Sequence, residues 1–178
     1  MIYSERLRLR PWCEDDRVAF HGLFNTAAMM RHMGGVAPSE AFDALFVKRL
    51  ADQTRHGLSY WAVELREGDV LIGSCGLRRA SNYSGTPVEG MVEAGWRIAE
   101  PWWREGFAKE AMHAALAWGW SILSESAIGT WTTAENRASL ALMNKLGFIR
   151  TNALDFDRPV SGERCLVHLV ARPVEASA

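Results

Sequence analysis

One stretch of the sequence, from Val92 to Met112, constrains the fold more than any other. Its first residues alternate between apolar and other side chains, which is the period-two pattern of a β-strand, and Pro101 ends that pattern. From about Gly106 to Leu123, small and apolar residues recur at helical spacing and predict a long helix. The loop between the two elements therefore leads directly into the N-terminus of a helix.

The loop before this helix has the features of an anion-binding site. The first turn of a helix carries backbone N–H groups without partners, and the helix dipole adds partial positive charge there. Gly106 lets the backbone approach a phosphate closely, and Ala108 keeps the first turn free of bulk. The sequence contains neither G-x-x-x-x-G-K-[ST] nor G-x-G-x-x-G. An ordinary strand-to-helix turn, in which the glycine serves only the turn, is the alternative interpretation.

The loop also resembles a known motif. The segment Trp103-Arg104-Glu105-Gly106-Phe107-Ala108 is similar to the [QR]-x-x-G-x-[GA] pyrophosphate loop of the GNAT superfamily of acyl-CoA-dependent N-acyltransferases, and residues 92–98 resemble the strand before it. Trp103 departs from the general pattern, but it is similar to the RimJ/RimL type of ribosomal-protein acetyltransferase. Asn136-Arg137-Ala138-Ser139, followed by Leu146-Gly147-Phe148, resembles the N-x-x-S…L-G-F segment of that branch.

The resemblance implies an α/β (α+β) protein with the GNAT fold: a mixed, mostly antiparallel central sheet of about six to seven strands, flanked by about four helices, with splayed central parallel strands. No linker or repeat divides the chain, so we expect a single acetyltransferase domain over residues 1–178. Periodicity predicts helices after the acidic residues 14–16, after Ser39, over about 106–123 and over 138–146. It predicts strands at 2–11, which we expect at a sheet edge, and at 60–65, 70–77, 92–98, 128–133, 148–154 and 164–171.

The resemblance also implies acetyl-CoA as co-substrate and no metal. In the family the loop amides bind the pyrophosphate, and the pantetheine arm pairs with the preceding strand like an added strand, often where that strand bulges. Asn136 would hold the arm through its side-chain amide. The acetyl-CoA-binding residues implied in this way are Trp96, Arg97, Ile98, Trp103, Arg104, Glu105, Gly106, Phe107, Ala108, Asn136 and Ser139.

Two residues are candidates for the chemistry of acetyl transfer. Attack by an amine needs its free base, and Glu93 matches the acidic residue of the family on the strand before the loop, with Glu89 in reserve. Many members place a Tyr where this sequence has Met143, so Ser139 is the candidate group near the leaving sulfur. The alternatives are that Glu93 is a solvated residue or an ion-pair partner, and that Asn136 and Ser139 only cap a helix.

Composition excludes several classes of partner and site. A formal net charge of −1 offers no footprint for nucleic acid or a membrane surface. No stretch reaches ~18 apolar residues, which predicts a cytoplasmic protein. Cys13, Cys75 and Cys165 are far apart, and neither they nor the five histidines show metal-ligand spacing, so we expect free thiols. We expect a monomer or a homodimer.

The sequence thus predicts an N-acetyltransferase that transfers an acetyl group from acetyl-CoA to a primary amine by direct attack. The resemblance favours a protein or peptide N-terminal α-amine. Acetylation of a small-molecule amine, a non-catalytic acyl-CoA-binding module of the same fold, and a structural domain that binds a partner protein are the alternatives. The acceptor is expected to be selected by the variable segments 29–39 and 81–90.

Overall fold

The computed structural model describes residues 1–174, which build a nine-stranded sheet. The strands are β1 (Ile2–Tyr3), β2 (Leu7–Arg10), β3 (Tyr60–Leu65), β4 (Leu71–Arg79), β5 (Val92–Ile98), β6 (Ala127–Thr132), β7 (Ile149–Arg150), β8 (Phe156–Asp157) and β9 (Arg164–Ala171). The α-helices are α1 (Arg17–Phe24), α2 (Ser39–His56), α3 (Phe107–Ile122) and α4 (Arg137–Lys145). The order in the sheet is β1-β2-β3-β4-β5-β6-β9-β7, and β8 pairs with β9. Only β5 and β6 are parallel among these pairs.

The predicted fold class is confirmed, while the number of strands differs. The sheet has nine strands instead of six to seven, because the predicted strand 2–11 is divided into β1 and β2, and because β8 is only two residues long and leaves no periodic pattern in the sequence. The strand predicted over 148–154 is only β7, because the chain turns into a 3₁₀ helix at Asn152–Leu154. The guanidinium of Arg150 binds the Asp155 carboxylate across that turn.

The predicted N-terminal strand, residues 2–11, is broken in two. β1 folds back antiparallel on β2 and forms the edge of the sheet, so the edge prediction holds for β1 alone. The carboxylate of Glu110 on α3 causes the break: its Oε1 accepts hydrogen bonds from Ser4 Oγ and from the Arg6 N–H, each at 2.7 Å. These contacts anchor the start of the chain beside the N-terminal end of α3.

The two faces of the sheet bury different helices. On one face, Leu77, Val92 and Ala94 pack with buried residues of α3 and α4. On the other face, Ala62 packs with aromatic side chains of α1 and α2, such as Phe42. Because side chains alternate across a strand, the neighbours of the first set on β5 point toward α1 and α2. Within residues 1–174, no helix is both long and apolar enough to cross a membrane.

The central parallel strands splay, as predicted. Strand β5 pairs with β4 continuously from Val92 to Ile98, but it pairs with β6 only where Glu93 lies opposite Gly129. The register between β4 and β5 has no shift, so no bulge in β5 accompanies the divergence. Beyond Glu93 the two strands therefore leave a gap in the middle of the sheet, and α3 begins at Phe107, after a 3₁₀ helix (Glu100–Trp102) and the loop that follows it.

Candidate active site

One cavity of about 860 Å³ passes through the gap between β5 and β6. It brings together most of the residues that the sequence predicted for the site. Two predicted residues do not line it. Glu105 turns its carbonyl to the guanidinium of Arg6, at 3.1 Å, and Glu89, the reserve base, accepts a hydrogen bond from the Gly85 N–H at 2.7 Å in a surface loop. The predicted residues that do line it are Glu93, Trp96, Arg97, Ile98, Trp103, Arg104, Gly106, Phe107, Ala108, Asn136 and Ser139.

The loop before α3 presents a row of free backbone donors. Arg104 and Gly106 both have positive φ, 69° and 84°, so the chain turns its N–H groups toward one side before the helix starts. Within the described chain, the N–H groups from Arg104 to Lys109 donate no hydrogen bond, and the next one, that of Glu110, bonds to the Gly106 carbonyl. These donors and the N-terminal dipole of α3 fit a pyrophosphate.

The gap side of β5 exposes a short run of backbone polar groups. The Ala99 N–H bonds to the Ile72 carbonyl at 2.9 Å, toward β4. Because successive residues of a strand point their N–H and C=O groups to opposite sides, those of Ile98 and Trp96 face the gap. The Ile98 carbonyl accepts a hydrogen bond from the Trp103 indole at 2.5 Å. Arg97 directs its backbone to Ser74 on β4, so its guanidinium rather than its backbone reaches the cavity.

Asn136 and Ser139 lie at the start of α4, on the far side of the gap. Asn136 is the N-cap of α4: its Oδ1 accepts the Ser139 N–H at 3.2 Å, and its Nδ2 donates to the Thr132 hydroxyl at 3.0 Å. The capping interpretation of Asn136 therefore describes its contacts. The Ser139 hydroxyl has no hydrogen bond within the described residues and lines the cavity, one turn before the buried Met143.

Glu93 is buried on the face of β5 that points toward α1 and α2. Its side chain is 10% exposed, and its Oε2 lies 2.5 Å from Nη2 of Arg78, the residue opposite it on β4. Burial raises the pKa of the Glu93 carboxyl, although Arg78 and the hydroxyl of Tyr60 act in the opposite direction. The ion-pair interpretation is thus correct as a contact, and the raised pKa brings the carboxyl closer to the range of a base that works near neutral pH.

Tyr60 lies across β5 beside Glu93. A Cβ atom on Gly95 would be 2.5 Å from Cζ and 2.6 Å from Oη of Tyr60, so the ring occupies the space above this glycine. The guanidinium of Arg49, from α2, lies 5.0 Å from the centre of the ring, and that of Arg78 lies 5.2 Å from it. The ring and two cations therefore form one wall of the cavity next to the carboxylate.

The residues of this wall are Tyr60, Arg78 and Arg49, and they were not identified from the sequence. Tyr60 begins the predicted strand 60–65 and Arg78 follows directly after the predicted strand 70–77, and only the register of β3, β4 and β5 brings them to Glu93. Arg49 did leave a signal, because it occurs at helical spacing among the apolar residues that α2 turns toward the sheet. Within residues 1–174, no group of three or more His, Cys, Asp or Glu side chains is arranged to hold a metal ion, and the three cysteines are free.

Comparisons with known proteins agree with this architecture. A sequence profile described as acetyltransferase (GNAT) domain matches residues 6–149. The chain is 27% identical over 163 residues to the uncharacterized N-acetyltransferase YoaA of Bacillus subtilis, covering 86% of this chain and 85% of the relative.

Solved structures share the fold. A spermidine N-acetyltransferase of Vibrio cholerae, in complex with CoA and spermine, superposes with a TM-score of 0.72 at 23% identity over 94% of this chain and 96% of that one. An acetyltransferase of Salmonella typhimurium that modifies the N-terminal serine of ribosomal protein L7/L12 superposes with a TM-score of 0.75 at 14% identity, over 94% and 96% of the two chains. A spermidine acetyltransferase and a ribosomal-protein acetyltransferase thus share the fold of this chain at similar TM-scores.

Proposed function

Because the chain belongs to the GNAT acetyltransferase family and is an acetyl-CoA-dependent acyltransferase, we propose that it acetylates a primary amine, and that the acceptor is a protein or peptide N-terminal α-amine. One observation carries the proposal: a buried carboxylate, Glu93, lines the same cavity as a row of free loop amides, with the strand gap between them. The predicted single-domain organisation and cytoplasmic location are parts of the same proposal.

The loop and the gap would hold acetyl-CoA. The free N–H groups from Arg104 to Lys109 bind the pyrophosphate, and the side chains of Arg104 and Lys109 add positive charge at that end of the cavity. The Trp96 backbone pairs with the amide groups of the pantetheine arm, on the side that β6 leaves open. This arrangement directs the thioester into the gap, within the cavity that Glu93 and Ser139 both line.

The amine would then attack the thioester directly. A bond forms between the amine nitrogen and the acetyl carbon, the C–S bond breaks, and Glu93 takes the proton of the amine, directly or through a water. The Ser139 hydroxyl donates a hydrogen bond to the departing sulfur, because Met143 has no group that can do so. An α-amine, with a pKa of about 7.7 to 8.0, loses its proton to a carboxylate more easily than a lysine side chain does.

Turnover tests the proposal. The protein is mixed with acetyl-CoA and a panel of N-terminal peptides, lysine side-chain peptides and small amines, and free thiol is measured together with the mass of each acceptor. We expect thiol release that matches acetylation of peptide α-amines. Binding of acetyl-CoA without thiol release for any acceptor would instead indicate a non-catalytic module, and acetylation restricted to small amines would refute the proposed acceptor.

The cofactor half of the proposal has its own test with a matched control. Gly106→Glu places bulk and negative charge among the loop amides and should abolish the thermal stabilisation by acetyl-CoA, which is about 2.7 kcal/mol at ~100 times the dissociation constant. Gly85→Glu introduces the same charge at a comparable positive φ, 76°, in a surface loop outside the cavity. The control should retain the stabilisation. Equal behaviour of the two variants would contradict the assignment of the loop.

A further inference from the structure

The cavity is strongly cationic, both at the end that would hold the pyrophosphate and around the buried carboxylate of Glu93. Nine Arg or Lys side chains line it, against two acidic ones, Glu93 and Asp52. Asp52 already pairs with Lys48 at 2.9 Å, and Glu93 pairs with Arg78. The excess of positive charge therefore has no partner in the cavity walls, and a ligand that enters this space meets a field that favours anions.

Two of the cations near Glu93 have no carboxylate partner. Among the residues that the structure describes, neither Arg49 nor Arg97 forms an ion pair. The guanidinium of Arg49 lies over aromatic rings, and that of Arg97 contacts the sulfur of Met33 at 2.6 Å.

Burial and the positive charges of Arg97 and Arg78 lower the pKa of Arg49 to about 9. Burial lowers the pKa of Arg97 to about 10. Both remain cationic at neutral pH. A half-buried guanidinium without a carboxylate partner is only partly compensated for the hydration that it loses, and a bound anion would supply charge-assisted hydrogen bonds.

The positions of these cations relative to Glu93 limit what the ligand can be. Glu93 and Arg97 stand on the same face of β5, four residues apart, which corresponds to about 13 Å between their Cα atoms. The Tyr60 ring fills the space between them above Gly95, and Arg49 approaches the ring from α2. The long arginine side chains shorten the distance between the Glu93 carboxylate and the guanidiniums. A ligand as small as an amino acid or as long as a short peptide can therefore reach the carboxylate and a guanidinium together.

We propose that the acceptor amine carries an anionic group, a carboxylate or a phosphate, which Arg49 and Arg97 bind while the amine faces Glu93. This inference rests on the proposed acetyltransferase function and narrows its acceptor. A polyamine has several positive charges and no anion, so this half of the cavity repels it at every position except Glu93.

Paired acceptors test the inference, because each pair differs only in the anionic group. The pairs are amino acids with their amides, 2-aminoethyl phosphate with ethanolamine, and tripeptide amides with Asp or Glu against Asn or Gln at the second residue; spermidine serves as the polycation. We expect kcat/KM for the anionic member to exceed that of its neutral partner by about tenfold or more in at least one pair, the scale of a charge-assisted hydrogen bond. The pair that shows this preference distinguishes a small carboxylate, a phosphate and an acidic peptide.

Variants then connect the preference to the two guanidiniums. Arg49→Gln and Arg97→Gln should each reduce the ratio between the anionic and the neutral acceptor, mainly through KM of the acceptor, and should leave KM of acetyl-CoA unchanged. Arg49→Lys should restore part of the ratio because it keeps the charge. Arg55→Gln removes the same charge from an exposed position on α2 outside the cavity, and it should leave the ratio as it is. Thermal unfolding of each variant reports whether it folds.

The outcomes separate this inference from the proposed function. If neutral partners or spermidine react as well as the anionic acceptors, or if the Arg variants lower both members of a pair equally, the inference is wrong although the protein is an acetyltransferase. If no acceptor turns over, the proposed function fails. In that case, calorimetry measures how each member of a pair binds to the protein saturated with coenzyme A. Tighter binding of the anionic member supports the anion site, and equal binding or no binding overturns it.

Discussion

Replacing Gly95 with alanine tests whether the Tyr60 ring forms the wall beside Glu93. Gly95 lies in β5 and is not among the glycines with positive φ, so alanine causes no backbone strain there. The new methyl group would stand 2.5 Å from Cζ and 2.9 Å from Cε1 of Tyr60, far inside the 3.5 to 4.0 Å at which carbon atoms pack. The ring must therefore move, although the guanidiniums of Arg49 and Arg78 lie against it.

The expected size of the effect follows from two opposing contributions. Overpacking a well-filled site costs about 1 to 3 kcal/mol. Alanine in place of glycine within a strand stabilises by about 0.5 to 1 kcal/mol, because the unfolded chain loses less freedom on folding. Since Tyr60 has little room to move, we expect a net loss near 2 kcal/mol, which lowers Tm by about 4 to 8 °C for a chain of this size.

A double-mutant cycle gives this prediction its sharpest form. With Tyr60→Ala already present, the clash is gone, and Gly95→Ala should stabilise the protein by about 0.5 to 1 kcal/mol. The sign of the effect therefore reverses between the two backgrounds in thermal or urea unfolding. In the wild-type background, kcat/KM should fall at least tenfold because the wall beside Glu93 shifts, while acetyl-CoA affinity is retained. A neutral or stabilising Gly95→Ala in the wild-type background would show that the ring does not lie over Gly95.

Three further predictions concern the proton and the leaving group. Glu93→Gln should lower kcat/KM by ~10²-fold or more and remove the acidic limb of its pH profile, which in the wild type lies above the usual range of a glutamate because burial raises the carboxyl pKa. Ser139→Ala should cost less than Glu93→Gln in the same assay, since it removes one hydrogen bond to a thiolate that already leaves readily; the reverse order would refute both assignments. Arg49→Gln removes a cation that stabilises the Glu93 carboxylate, so the acidic limb should move to higher pH, and an unchanged or lower limb would contradict this coupling.

Local patterns were sufficient to predict most of the fold. Strands β3 and β9 have the bounds that periodicity gave them, and α3 differs from its prediction by one residue at each end, because long amphipathic segments encode their own geometry. The interrupted strand near Ser4 and Arg6 could not be predicted in the same way. Its cause is the carboxylate of Glu110, a contact between residues about a hundred positions apart.

The candidate site likewise has one part that a local sequence pattern predicts and one part that depends on contacts between distant residues. The proposed anion-binding loop is a continuous segment whose free N–H groups depend on its own backbone, so Gly106 and the helix that follows were sufficient to predict where it lies. The environment of Glu93 depends instead on three strands and a helix meeting in one register, so neither its ion pair with Arg78 nor the ring above Gly95 has a local pattern. The contacts of Asn136 are those of a helix cap, which the sequence allowed as an alternative.

The charges around Glu93 connect acceptor binding to proton transfer. Burial raises the pKa of its carboxyl, whereas Arg78, Tyr60 and Arg49 lower it by stabilising the carboxylate. Arg78 stays paired with Glu93, but Arg49 belongs to the proposed anion site. An anion bound at Arg49 neutralises its charge, weakens its stabilisation of the carboxylate and raises the pKa of Glu93. Under the proposed acceptor chemistry, the carboxylate thus becomes a stronger base when an acceptor with the correct anionic group is in place, so the same contact that selects the substrate also promotes removal of its proton.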